Sequence, residues 1–230
     1  MVGQSETSAG EHIAVLASGG LDSAVLIGDL ARTWRSVQPM YVRFGLVWEK
    51  SEEAGLRRFL AALDSPRVLP LKVFECPIRD VYGDHWSTTG VETPDTKSDD
   101  SAVFLPGRNL LLLSQSAVWC HLRGIRTIAM GVLSGNPFMD ATDEYFTAIE
   151  RGINLALSGC LRIERPFRGL TKVEVLKRGT GLPLGETISC ILPANGTHCG
   201  RCNKCEERRK GFLMAGMIDT AYYASDEHLK

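Results

Sequence analysis

Apolar and polar positions alternate along this chain in blocks. His12–Ala17 is a short apolar run halted at once by a glycine turn, and Ser23–Trp34 then carries apolar residues at helical spacing. Further apolar runs at Val37–Phe44, Arg67–Phe74 and Thr127–Val132 alternate with helical patterns at Ser51–Leu63, Arg108–Leu122 and Asp143–Leu157. Strands separated by helices predict a parallel sheet with helices on both faces, an α/β fold. Between Asp80 and Ala102 the period vanishes among Gly, Pro, Ser, Thr and Asp, which predicts a long loop over the active-site end. Thr171–Arg178 reads as a helix start, with Thr171 as N-cap and Glu174 completing a capping box. A charged helix is expected after Cys205, to about Ala215, and both chain ends are expected to fray.

Composition narrows the function classes. The 230 residues are 44% hydrophobic, enough for a sizeable core, and 26 basic against 27 acidic residues leave a net charge of −1. No global field favours nucleic acid or an anionic membrane, so a small-molecule substrate is expected. No apolar stretch approaches the roughly 18 to 20 residues that span a bilayer, and the polar opening Met1–Glu11 lacks a signal-peptide centre. A cytoplasmic protein is expected.

The local chemistry is sharper. Ala17-Ser18-Gly19-Gly20-Leu21-Asp22-Ser23 joins a predicted strand to a predicted helix, which aims backbone N–H groups and the positive helix end at one small volume. Gly19 and Gly20 permit close approach, while Ser18 and Ser23 offer hydroxyls to phosphate oxygens. Asp22 suits magnesium or the positioning of the loop. A Walker ending is absent, and the glycine spacing does not fit the dinucleotide fingerprint.

Of seven cysteines, Cys76, Cys120 and Cys160 are scattered, whereas Cys190, Cys199, Cys202 and Cys205 crowd one segment. Four clustered thiolates can close a tetrahedral zinc site with no open position, hence a structural one. An iron–sulfur cluster is the chemical rival, and His198 a substitute ligand.

The loop Ser18–Ser23 resembles the pyrophosphate loop of the N-type ATP pyrophosphatases. Taken with Phe104-Leu105-Pro106-Gly107-Arg108-Asn109-Leu110, then Leu170-Thr171-Lys172-Val173-Glu174, then the four cysteines followed by Arg209-Lys210-Gly211-Phe212, the order is similar to the 7-cyano-7-deazaguanine synthase family over nearly the whole chain. The resemblance implies an adenine nucleotide alpha hydrolase-like, Rossmann-like domain at 1–165 and a helical zinc-binding region at 166–230. It also implies adenylation of a deazapurine carboxylate by ATP with magnesium, then amidation by ammonia and dehydration to a nitrile, in a homodimer. Ser18, Asp22, Ser23, Arg108 and Lys172 are the implied catalytic residues. Ala17, Gly19, Gly20, Leu21, Arg43, Gly107 and Gly131 complete the implied nucleotide site, and Phe104, Asn109, Ser134 and Asp140 join Lys172 around the second substrate.

The chain departs from the family in two places. Where the family carries an aromatic residue, Gly and then Gln-Arg-His, this chain has Phe44-Gly45-Leu46-Val47-Trp48. After Gly131-Val132 it reads Leu133-Ser134-Gly135-Asn136-Pro137-Phe138-Met139-Asp140, with the acidic positions shifted. Asp140, Asp143 or Glu144 can restore lost polar contacts to a purine edge. The apolar wall of Leu46, Val47 and Trp48 also fits a larger nucleophile, such as an amine on a protein or peptide, and Trp48 fits ordinary core equally. A non-catalytic nucleotide-binding module is the rival of a different class.

Overall fold

The computed structural model describes residues 11–225; the polar opening and most of both expected frayed ends lie outside them. In chain order the elements are β1 (His12–Leu16), α1 (Leu21–Thr33), β2 (Ser36–Arg43), α2 (Glu49–Leu63), β3 (Lys72–Glu75), the single turns α3 (Arg79–Tyr82) and α4 (Trp86–Thr89), α5 (Arg108–His121), β4 (Thr127–Met130), α6 (Asp143–Leu157), β5 (Arg162–Glu164), α7 (Lys172–Arg178) and α8 (Asn203–Ala215). Among the described residues five strands form one sheet in the order β3-β2-β1-β4-β5, every pairing parallel. This is the α/β layering that the alternation predicts and the Rossmann-like sheet that the resemblance implies.

Period-two burial in β1 explains the two cores. Ala14 and Leu16 face a core built with Leu113 and Ala117 of α5 and Phe146 of α6. Ile13 and Val15 face the other, built with Leu26 of α1, Leu56 and Phe59 of α2, Val175 of α7 and Phe212 of α8. Residues beyond 165 enter both cores, including all four clustered cysteines in the first. Among the described residues no helix is long and apolar enough to cross a membrane.

Several boundaries shift for local reasons. The strand expected at Arg67–Phe74 is ladder-paired only over Lys72–Glu75, with a single earlier bridge, Val37–Val68. Pro70 lacks the N–H a ladder needs, and Pro39 of β2 lies in the same gap, where its own missing N–H goes unnoticed. Gln38 crosses the gap instead, donating Nε2 to the carbonyls of Pro39 and Pro70 at 3.0 and 2.8 Å. β5 was not expected: three residues with only Ile163 buried leave no readable pattern. α1 starts two residues early, at Leu21. α8 begins at Asn203 rather than after Cys205.

The stretch from Asp80 to Ala102 is not one open loop. It contains α4, with Ser87 and Thr88 buried, and is strapped to the cysteine segment by an Asp95–Cys202 bridge. Asn203 Nδ2 also donates to the Ser98 carbonyl at 3.0 Å and to Asp100 at 3.1 Å.

Candidate active site

The turn from β1 into α1 is held by its own side chains. Ser23 Oγ accepts the Ser18 N–H at 3.2 Å and donates to the Gly20 carbonyl at 3.2 Å. Gly19 has φ +75°, and a Cβ there would lie 2.5 Å from the Glu52 carbonyl oxygen, so neither the angle nor the space admits a side chain. The Gly19 carbonyl accepts from Ile188 N–H at 2.9 Å, which ties the loop to the segment before the cysteines. Gly131 lets the end of β4 approach the Asp22 backbone, where a Cβ would sit 3.2 Å away.

Above this turn lies a cleft of two adjoining lobes. The first, about 200 Å³, is lined by Ala17, Ser18, Asp22 and Ser23 together with Gly131 from the end of β4 and Phe104, Arg108, Asn109 and Asp140. The second, about 260 Å³, shares Ser18, Asp22 and Arg108 and adds Gly20, Leu21, Lys172, Glu52, Trp48 and Trp86. Segments 150 residues apart thus meet in one place.

Lys172 is delivered there by the capping box that opens α7: Thr171 Oγ1 accepts from Glu174 N–H, and Glu174 accepts from Thr171 N–H at 2.7 Å. Its ammonium donates to both Asp22 oxygens at 2.8 Å and pairs with Glu207 at 2.9 Å. Lys204 closes the chain onto Glu207 at 2.6 Å. Burial opposes the charge on Lys172, but Asp22 and Glu207 outweigh it and hold the ammonium well above its usual range. Burial likewise opposes charge on Glu207, yet Lys172 and Lys204 bring that carboxyl down to about 2.

Arg108 opens α5 behind Gly107, whose φ of +73° makes the left-handed turn before the helix. Its buried Nε has no hydrogen-bond partner among the described residues, a donor left for an anion. Beside it, Asn109 and Asp140 are engaged with each other, N–H to Oδ2 at 3.1 Å and Nδ2 to the Asp140 carbonyl at 2.8 Å. Phe104 stacks on Phe138 with ring centroids 5.1 Å apart.

Other residues expected here lie elsewhere. Arg43 is committed to Glu53 and Glu75 at 2.6 Å each and lines neither lobe. Gly107 and Gly19 shape the site from behind rather than lining it. Ser134 Oγ donates to the Leu170 carbonyl at 2.8 Å, steadying the approach to Lys172 from outside. Of the three acids open to a purine edge, Asp140 lines the cleft, while Asp143 pairs with Arg165 at 2.7 Å and Glu144 is exposed. Trp48 is both wall and core: it is buried, and its ring stacks on Trp86 at 5.6 Å.

Two groups escaped the sequence reading. Tyr41, at the end of β2, donates its hydroxyl to Glu52 at 2.7 Å. Burial raises Glu52 to about 7, although Arg108 and the Tyr41 bond pull the other way.

The four clustered cysteines are buried with their sulfurs within 4.8 Å of one another. The Cys190–Cys202 and Cys199–Cys205 sulfurs are 3.8 and 3.9 Å apart, against about 3.8 Å for the edge of a tetrahedron with Zn–S near 2.3 Å. The donor set suits zinc. The Cys190 sulfur also accepts N–H groups from Leu192 and Cys199, as thiolates do. His198 accepts from Ser189 N–H at 3.1 Å and is not one of the four.

The fold and the cleft define a class: a parallel α/β protein with a glycine turn and an open cleft at the carboxyl edge of its sheet. The family model described as queuosine biosynthesis protein QueC matches residues 12–216, and the chain belongs to that family. Relatives named 7-cyano-7-deazaguanine synthase, from Thiobacillus denitrificans (strain ATCC 25259 / T1) and Xanthomonas axonopodis pv. citri (strain 306), are each 33% identical over 223 residues. These matches cover 91% of this chain and 97% and 96% of the relatives. Among solved structures, a 4-thiouridine synthetase in complex with RNA and bound ATP gives a TM-score of 0.49 at 14% identity, covering 90% of this chain and 50% of that one.

Proposed function

We propose that this enzyme adenylates the carboxylate of 7-carboxy-7-deazaguanine with Mg-ATP, joins the acyl group to ammonia and dehydrates the amide to the nitrile. Membership of the synthase-bearing family supports the substrate. The observation that carries the chemistry is the convergence of Ser18, Asp22, Arg108 and Lys172 on one cleft. ATP lies with its adenosine in the first lobe and its phosphates on the turn Ser18–Ser23, where Ser18, Ser23 and the start of α1 provide donors. Arg108 turns its unpartnered Nε to the phosphate or carboxylate that meets there. Lys172, held charged, neutralises the pentacoordinate α-phosphorus as charge develops. Asp22 positions Lys172 and would help hold magnesium. The deazapurine occupies the second lobe against Trp48 and Trp86. Cys190, Cys199, Cys202 and Cys205 would hold a structural zinc, tying the strap that carries Trp86 to the segment Ile188–Ser189 that backs the turn.

Mass spectrometry after incubation with 7-carboxy-7-deazaguanine, ammonium and Mg-ATP tests this reading. Nitrile with AMP is expected; ADP as the nucleotide product would refute adenylation, and AMP with no nitrile or amide would assign a different acceptor.

A further inference from the structure

Adenylation has no use for a base, because its nucleophile is a carboxylate already ionised at neutral pH. Amidation does: an attacking amine must shed a proton. The second lobe holds one acid that the nucleotide chemistry leaves unused. Glu52, on α2, lines that lobe with Ser18, Asp22 and Arg108. Among the described residues its carboxylate takes one hydrogen bond, from Tyr41 at 2.7 Å to Oε2, which leaves Oε1 uncommitted. Gly19 packs directly on its backbone and its Cγ, so the side chain stands beside the glycine turn.

We infer that Glu52 accepts the proton released when the nitrogen nucleophile attacks the acyl-adenylate. This rests on the adenylation reading. In the step, ammonia forms a bond from nitrogen to the acyl carbon and the bond from that carbon to the phosphate oxygen breaks. AMP leaves with the electron pair, and one N–H proton passes to Glu52, which returns it to solvent. The charged or titratable groups facing Glu52 are Tyr41 from β2, Glu49 from its own helix and Arg108 from α5, with Asp22, Lys172, Lys204, Glu207 and Arg208 lining the same lobe. Burial places the carboxyl at about 7, balanced between acceptor and donor at neutral pH. Its neutral form also sits beside a polyphosphate without repulsion, so the same group tolerates the first half-reaction and serves the second.

The test separates the halves. In Glu52→Gln, amide formation from ammonium should fall by about 10²- to 10⁴-fold, while substrate-dependent ATP–pyrophosphate exchange should drop by no more than about threefold, within ordinary scatter for a lost contact. The acid limb of amide formation near neutral pH should vanish in Glu52→Gln and return, shifted, in Glu52→Asp. Equal loss of both half-reactions would overturn the inference, as would a raised KM for the deazapurine with unchanged kcat, which marks recognition of the base edge. A raised magnesium requirement for exchange would make Glu52 a metal ligand instead. Absence of exchange in the unmodified enzyme would refute the adenylation reading beneath it.

Discussion

Glu52→Gln should make the protein more stable, increasingly so as pH rises. A carboxyl raised to about 7 in the folded chain, against 4.5 as its ordinary value, binds its proton more tightly folded than unfolded. Stability is therefore complete below pH 4.5 and is lost as pH rises through 7, because ionisation then favours the unfolded state. Worked from those two values, the loss is about 0.8 kcal/mol at pH 5, about 2 kcal/mol at pH 6 and about 3 kcal/mol at pH 7 and above. Glutamine keeps the neutral shape and an oxygen for the Tyr41 hydroxyl, so it escapes the loss. In urea titrations at constant ionic strength the variant should gain less than about 1 kcal/mol at pH 5 and about 3 kcal/mol at pH 8, with an unchanged m value. The corresponding rise in Tm at pH 8 is about 6 to 12 °C for a chain of this size. A pH-independent difference, or a variant weaker than the parent at pH 8, would refute the reasoning.

Gly19→Ala forces a methyl against the Glu52 carbonyl in a left-handed backbone; a loss of about 1 to 3 kcal/mol is expected, along with ATP–pyrophosphate exchange, as read by urea midpoints and radiolabelled pyrophosphate. Cys202→Ser should lower bound zinc from one per chain toward none by elemental analysis and broaden or lower the thermal transition; a brown parent protein would instead indicate iron and sulfur. Arg108→Lys keeps the charge but loses the planar fork, and kcat/KM for adenylation should fall about 10- to 100-fold; an unchanged value would remove Arg108 from the anion site.

What the sequence reveals here is what depends on neighbours in the chain. The glycine turn, the Thr171–Glu174 box and the cysteine cluster each carry their geometry within a few residues, and each is found as spaced, the turn and box beside the cleft and the cysteines behind it. Glu52 hides because Glu49-Lys50-Ser51-Glu52-Glu53 reads as the solvated face of a helix; the groups that meet it, Tyr41, Arg108 and Gly19, come from β2, α5 and the turn after β1. Tyr41 resembles any core aromatic until Glu52 is placed opposite. Arg43 stands at the carboxyl end of a central strand, the right height for a phosphate, but Glu53 and Glu75 reach it first from the neighbouring helix and strand. The strap at 80–102 is unreadable for the same reason: its anchors, Cys202 and Asn203, lie a hundred residues away.

The most direct test of the account uses 7-carboxy-7-deazaguanine labelled with ¹⁸O in its carboxylate. Attack by that carboxylate on the α-phosphorus, followed by displacement with nitrogen, leaves one labelled oxygen in AMP, and mass spectrometry should find it there. Label in inorganic phosphate, or unlabelled AMP alongside amide, would contradict the acyl-adenylate.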